Sequence, residues 1–535
     1  MRHLWPWILA ALSGLLMALA FPPVELGSLA WVALTPLIVA VWFGCTDGRW
    51  RVLRLFGLGY LTGLVFFWAA FFWLTEVTGL GWFLLAFYLA IYPALWALFA
   101  GLVCRPRRES DDTAPGVEWT RSFNNLRLAF RAAAAWVGLE WVRGTLFTGF
   151  GWNQLGVALW KNTALIQIAD ITGVGGITFL VVLANLMLVI SVKRLSVEAG
   201  RMRLRPHYDF SLTIVLIAAT FCYGVSRLSR DPGTTAPFSF AAVQANIPQH
   251  EKWDPAFEQN ILDTYQRLSE IAIARRPDLL IWPEAALPRP LLTDDEMKKF
   301  VTGILAKHGS DILLGTENYN YAGGFNAAVM LDAAGGVQLY HKMHLVPFGE
   351  FIPFRHSFPL FAWVVGDQVP GDFEAGTEAV VMMTQGRKKH FRFAPLICFE
   401  DTVGELVRQF ADKGAEILIT LTNDGWFRES SGSRQHMINA IFRSVETKLP
   451  LVRAANTGVT CSVDPWGRVR EILQTPDGNT FIEGFLYDEF DVTVQPQKTF
   501  YTRYGDLFSI ACFFGALLSI RTHLVTARRR DLSEN

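Results

Sequence analysis

Phe393–Asp401, FAPLICFED, is an apolar run of β-type residues that delivers one cysteine, Cys398, directly ahead of two acids. A thiol at the end of a buried strand is held rigidly yet faces a cleft, as a nucleophile requires. On its own the run reads first as a core strand closing on a small hydrophobe, because free cysteine is among the most buried residue types. Two upstream stretches alter that balance. DLLIWPEAALP, residues 278–288, carries a β run up to Glu284, and YHKMHLVPFGEFIP, residues 340–353, carries Lys342 and Glu350. A carboxylate to take the thiol proton, an ammonium to hold developing negative charge and a sulfur to attack make a complete set for acyl transfer.

The rest of the chain places this set beside a membrane. Of 535 residues, 51% are hydrophobic, and the excess is uneven. Long apolar runs crowd residues 1–228 and recur once at 505–521, whereas 237–495 has the mixture of an ordinary globular domain. Runs at 7–21, 28–45, 55–75, 80–103, 128–147, 166–192, 210–227 and 505–521 mostly approach the ~20 residues that cross a bilayer, which predicts about eight helices. The fifth encloses Arg131, Glu140 and Arg143. Glu140 and Arg143 lie one helical turn apart, and a structural ion pair inside the bundle is the expectation.

Lys and Arg collect on the cytoplasmic side of membrane proteins. Segments 46–54, 104–127, 193–207 and 521–530 are rich in Arg, while 22–27 and 76–79 hold no Lys or Arg and 148–163 holds only Lys161. Both termini are therefore expected inside, with 522–535 as a cytoplasmic tail and 237–495 outside. The net charge of zero adds nothing, since the information lies in its distribution. Arg2 ahead of the first run, with Ala18-Leu19-Ala20 after it, has the look of a signal peptide; because more runs follow, it reads as an uncleaved anchor. Of six cysteines, at 45, 104, 222, 398, 461 and 512, only Cys398 and Cys461 face the outside in this arrangement, where a disulfide between them is chemically possible.

Within 237–495, strands are expected near 238–247, 278–284, 311–318, 326–332, 336–341, 378–384, 391–398, 415–422, 451–456, 459–464 and 483–491. Helices are expected near 254–275, 294–308, 402–413 and 434–447. Many strands are rich in Val, Ile and Leu without polar alternation, which argues for sheets covered by helices. FIPFRHSFPLFAWVVGDQVPG, 351–371, is aromatic and proline-rich without periodicity, and reads either as a packed loop or as a segment dipping into the lipid interface, a lid over 351–372.

Each site residue also has a plainer reading: Glu284 as a surface charge, Lys342 as an exposed lysine, and His341 and His344 of HKMH as two unrelated histidines. HExxH and GxSxG are both missing from the sequence, so zinc and a serine nucleophile elbow are not supported.

Glu284, Lys342 and Cys398, in that order and each at or just past an apolar β run, resemble the nitrilase superfamily. The surrounding words agree: WPE at 282–284, PFGEF at 347–351, CFED at 398–401 and LTNDGWF at 421–427. Such a domain between seven membrane runs and one more resembles the bacterial apolipoprotein N-acyltransferases over essentially the whole chain. The resemblance implies a multi-pass helical bundle plus an αββα sandwich with a Glu-Lys-Cys triad. Cys398 is implied as the nucleophile toward an acyl ester of a membrane phospholipid, Glu284 as the base, and Lys342 as the oxyanion partner with the amide of Phe399. Glu350 matches a supporting glutamate, and Glu400 the acid of a Cys-aromatic-Glu triplet. Phe399 stands where tyrosine is common, so any hydrogen bond from that ring is lost. The implied acceptor is the α-amine of an S-diacylglyceryl cysteine, reached by ping-pong transfer without cofactor or metal, by a monomer of the inner membrane whose domain is periplasmic and which binds no nucleic acid. Two other readings stay open: a membrane-anchored amidase that passes the acyl group to water, and a transporter with a silent nitrilase-like binding module.

Overall fold

The computed structural model describes residues 4–45, 48–106, 117–200, 205–307, 309–353, 355, 372–384 and 389–534. The expectation of a lid over 351–372 falls largely on 354 and 356–371, outside the described residues. The chain divides into two compact units, Met1–Ser229 with Asp506–Asn535, and Arg230–Gly505.

The first unit is helical. Among the described residues six segments are long and apolar enough to cross a membrane: Gly27–Gly44, Arg51–Ala70, Gly79–Leu102, Val174–Gly200, Tyr208–Leu228 and Leu507–Thr526. The run at 7–21 is a shorter apolar helix, Trp5–Leu19. The run at 128–147 lies in a longer helix, Val117–Thr145, which carries charges along its length. The run expected as one helix at 166–192 is divided: Gly173, at φ +61, ends a short turn at Ala169–Thr172, and the long helix starts at Val174. Glycine adopts that left-handed conformation at no steric cost, and the break follows from it.

Asn185 and Glu140 in this unit are matched internally, as a low-dielectric surround demands. Gly27–Gly44 is broken into short helical pieces, and Asn185 serves the break. Its Oδ1 accepts from the N–H of Leu34 (2.9 Å) and Thr35 (3.1 Å), and its Nδ2 donates to the Ala30 carbonyl (2.9 Å). Glu140 is not paired as expected. Its oxygens accept from Trp136 Nε1 (3.0 Å), the Leu155 N–H (2.9 Å) and the Thr178 hydroxyl (3.0 Å), while the Arg143 guanidinium lies 5.4 Å from the Phe67 ring centroid.

The second unit holds twelve strands among the described residues: β1 (Thr235–Gln244), β2 (Leu279–Ile281), β3 (Asp311–Asn320), β4 (Gly323–Leu331), β5 (Val337–His341), β6 (Met382–Met383), β7 (Arg392–Ile397), β8 (Ile417–Thr422), β9 (Leu451–Ala455), β10 (Cys461–Val463), β11 (Val469–Ile472) and β12 (Gly484–Thr493). They form two six-stranded sheets, in the orders β12-β1-β2-β3-β4-β5 and β11-β10-β9-β8-β7-β6. Helices Glu258–Ile273 and Asp295–Ala306 cover the first sheet, burying Leu262, Tyr265, Val301 and Ile304 with Leu280 of β2 and Trp282 just past it. Asp294 caps the second of these helices, accepting from the N–H of Glu296 and Met297, a contribution of about 1 kcal/mol. Helices Gly404–Asp412 and Gly432–Thr447 belong to the second sheet. Between the sheets, the rings of Phe238 and Phe391 meet at 5.1 Å, and the Thr460 hydroxyl donates to Gln244 Oε1 at 2.6 Å. The layers are helix, sheet, sheet, helix, as expected.

Two strand expectations need correction. The strand at 378–384 shrinks to Met382–Met383. β11 was not foreseen, because VREI is polar and half of it is exposed; it forms by folding back on β10 across the turn at Asp464–Gly467. Pro395 sits inside β7, where a missing N–H ordinarily breaks a ladder. Here β6 pairs only with Phe393 and Arg392, so the proline lies beyond the ladder on that side. Cys398 and Cys461 are both free. Cys398 follows β7 and Cys461 begins β10, three inter-strand steps of about 4.8 Å away, beyond disulfide reach.

Candidate active site

Strands β1, β2 and β3 run parallel in one sheet, and β7, β8 and β9 in the other. Their carboxyl ends supply the site, the usual place for function in parallel sheets. Glu284 follows β2, Cys398 follows β7, and Asn423 follows β8. Lys342 follows β5, which runs in the same sense as β3 because both pair antiparallel with β4.

Glu284 is buried. Its Oε1 accepts from Asn326 Nδ2 at 2.8 Å and lies 3.5 Å from Lys342 Nζ; its Oε2 accepts from the Asn423 N–H at 2.9 Å. Its main-chain carbonyl accepts from Lys252 Nζ at 2.9 Å. Gly315 of β3 runs so close beneath it that a Cβ there would stand 2.5 Å from the Glu284 Cα.

Lys342, 1% exposed, donates to Glu350 Oε1 at 2.9 Å. Burial works to lower its proton affinity, but the carboxylates of Glu350 and Glu284 outweigh burial and hold the ammonium charged well above the ordinary lysine range. Glu350 is itself fixed, accepting from Asn326 Nδ2 (2.7 Å) and the Val346 N–H (2.8 Å). One amide, Asn326, thus donates to both glutamates that flank the lysine.

Cys398 opens a 3₁₀ turn, Cys398–Thr402, at φ +52. A non-glycine residue there is strained, and such strain concentrates where a side chain must be aimed. The residue is only partly exposed. Burial, then the charge of Glu284, push the thiol well above its usual range; Lys342 and the neighbouring Thr422 hydroxyl pull the other way. The resting group is a protonated thiol facing a carboxylate and an ammonium.

Glu400 stands behind this cluster and ties two loops together. Its Oε1 accepts from the Tyr340 hydroxyl (2.7 Å) and the N–H groups of Met343 (2.7 Å) and His344 (3.1 Å), and its Oε2 from the Ile397 N–H (2.8 Å). The lysine loop is thereby stitched to the cysteine turn. Burial pushes Glu400 up to about 7, against the charge of Lys342 and these donors. The Phe399 ring stacks on His344 at 5.6 Å, and His341 stacks on Phe325 at 4.1 Å while its Nε2 lies 2.9 Å from Asn318 Nδ2. The two histidines of HKMH thus have separate packing partners.

All six residues singled out from sequence lie in this one region. Sequence reasoning missed Asn326, Asn423 and Lys252. Asn423 sat inside the LTNDGWF word without an assigned role, and Asn326 was signalled only by one polar residue in an apolar strand.

Residues 13–187 match the family model described as apolipoprotein N-acyltransferase N-terminal domain, and residues 239–493 match that of the carbon-nitrogen hydrolases. A protein of Geobacter metallireducens named apolipoprotein N-acyltransferase is 36% identical over 527 residues, covering 95% of this chain and 94% of that one. Proteins of the same name are similar too: one from Bradyrhizobium diazoefficiens at 30% identity, covering 97% and 95% of the two chains, and one from Methylococcus capsulatus at 32%, covering 86% of each. The sandwich is therefore a nitrilase fold and the apolar helices are those of a membrane protein. With such identity over nearly its whole length, the chain belongs to the apolipoprotein N-acyltransferase family.

Proposed function

We propose that the protein moves an acyl chain from a membrane phospholipid, through a thioester on Cys398, to the α-amine of the S-diacylglyceryl cysteine of an apolipoprotein. The observation that carries this reading is the buried charge cluster of Glu284, Lys342 and Glu350 against the Cys398 thiol.

In the first half-reaction Sγ attacks the ester carbonyl as Glu284 takes the thiol proton. The tetrahedral oxyanion is held by Lys342 Nζ and the Phe399 N–H, and on collapse Glu284 returns the proton to the departing lysophospholipid oxygen. In the second half-reaction the α-amine attacks the thioester carbonyl, Glu284 takes the ammonium proton, and the sulfur leaves to be reprotonated. Glu350, Asn326 and Glu400 position these groups. A protonated resting thiol suits the cycle, because the base and nucleophile are activated together only when an acyl carbonyl is present. The Arg-rich segments at 46–54, 104–127, 193–207 and 521–530 support eight spans with both termini cytoplasmic and the catalytic unit on the periplasmic face of the inner membrane.

The test is the purified protein in phospholipid vesicles with a synthetic S-diacylglyceryl-cysteine peptide. One acyl chain added to the peptide amine for each lysophospholipid released is the expected result. Release of free fatty acid with no peptide product points instead to water as acceptor, and solute flux without any lysolipid points to transport; either outcome overturns the proposal.

Asn326→Leu checks the positioning of the two glutamates. Removing the shared amide leaves two buried carboxylates each short of a donor, at about 1–3 kcal/mol per unmet group. The expected outcome is a 10- to 100-fold slower acyl-enzyme formation, roughly what a misplacement near 1 Å costs, with a lowered unfolding midpoint. An unchanged single-turnover rate would remove Asn326 from the account.

A further inference from the structure

Behind Cys398 lies a second buried cluster that the cycle above does not use. His436, on the helix Gly432–Thr447, is 1% exposed. Its Nε2 is 2.9 Å from Asp401 Oδ1 and its Nδ1 is 3.0 Å from Asp424 Oδ1. Asp401 belongs to the same 3₁₀ turn as Cys398. Asp424 accepts from the Thr422 hydroxyl at 3.2 Å, and Thr422 stands close enough to the Cys398 thiol to favour its ionised form. Between them, Asn423 donates its N–H to Glu284. One imidazole therefore links the turn that carries the thiol to the loop that holds the carboxylate.

A carboxylate lies at ion-pair distance from each ring nitrogen, an arrangement that favours a ring carrying two protons. Of the other groups facing it, Arg453 works both ways, balancing the two aspartates while opposing a proton on Nδ1. Arg453 of β9 pairs with Asp424 at 3.0 Å and lies 3.7 Å from Asp401, although its Nη2 is also 2.7 Å from His436 Nδ1. Two cations are thus matched by two anions. Cys461 of β10, behind Arg453, is raised by burial to about 12 and stays neutral. On the His436 helix itself, Arg443 and Glu446 pair with each other at 2.9 Å. Burial and Arg453 oppose the charged ring, but Asp401 and Asp424 outweigh them and raise His436 to about 9.

We infer that His436 is a positioning residue for the reaction: as an imidazolium bridging Asp401 and Asp424 it locks the Cys398 turn against the Thr422–Asp424 loop, and the thiol loses its alignment with Glu284 when the ring is neutral. The inference rests on Cys398 as the nucleophile and Glu284 as its base.

The experiment is alkylation of Cys398 by iodoacetamide in the full-length protein between pH 6 and 10, read by intact mass beside the unfolding midpoint. Wild type is expected to slow above about pH 9, the reverse of a free thiol. His436→Gln, which cannot carry charge, is expected to react about 10- to 100-fold more slowly at pH 7 with that alkaline fall gone, and to fold with a lowered unfolding midpoint because one cation of a buried ionic cluster is removed. A folded His436→Gln with the wild-type rate and profile overturns the inference. Where His436→Gln does not fold, Thr422→Val replaces it: the same loss of rate supports the linkage, and wild-type reactivity overturns it. Iodoacetamide needs no phospholipid, so normal alkylation with no acyl adduct from lipid refutes the donor assignment alone and leaves the His436 result standing.

Discussion

Cys398→Ala is expected to lose acyl transfer by about 10,000-fold or more, with no acyl-enzyme at any time point. The large effect follows from covalency: without Sγ no thioester forms, and only binding and oxyanion stabilisation remain. The fold should tolerate the change. Alanine at φ +52 carries a backbone strain similar to that of cysteine, and the thiol removed is one that burial already disfavours ionising. Cys398→Ser should be equally silent, because a hydroxyl in the same dry site is harder to deprotonate than the thiol. The measurements are lysophospholipid release and the unfolding midpoint in detergent; a midpoint near wild type with no turnover separates lost chemistry from lost structure.

Lys342→Met is expected to be nearly as damaging and to act in two ways. Losing an oxyanion partner costs about 10²–10³-fold in the rate of acyl-enzyme formation. It also leaves Glu284 and Glu350 buried without their cation, and removing one partner of a buried ionic cluster costs about 3–5 kcal/mol. The sign of the pH dependence is a separate check. In wild type the lysine is raised above its unfolded value, so its stabilisation is present at neutral pH and is lost only as pH rises past the ordinary lysine range. In the variant the two carboxylates retain protons that the unfolded chain releases near pH 4–5. Stability should therefore fall as pH rises from 5 to 8 more steeply than in wild type, where the raised Glu400 already gives a slope of that sign. Thermal unfolding across that range, with single-turnover mass spectrometry at each pH, tests both effects.

The contrast between these two sites and the groups around them shows what a sequence makes legible. Glu284, Lys342 and Cys398 each end or follow a β run, so local pattern and the order of the three were enough to single them out. The apolar parallel strands around them were equally plain, because both faces are covered. Asn326, Asn423 and Lys252 act across distances in sequence that only the two sheets close: Asn423 meets Glu284, and Lys252 meets the carbonyl of the same residue. His436 lies on a helix with no exposed face, where periodicity gives no direction. β11 was missed for the opposite reason, since an exposed polar strand carries no apolar signal. In the helical unit, the break at Gly173 depends on a single positive φ that hydropathy averages away.

The most direct test of the central claim is the intact mass of the purified protein after incubation with phospholipid and no acceptor, beside Cys398→Ala. An added mass of one acyl chain, labile to hydroxylamine and absent from the variant, is what a thioester at Cys398 predicts. An unmodified wild type, in vesicles whose lipid is shown to reach the protein, would contradict it.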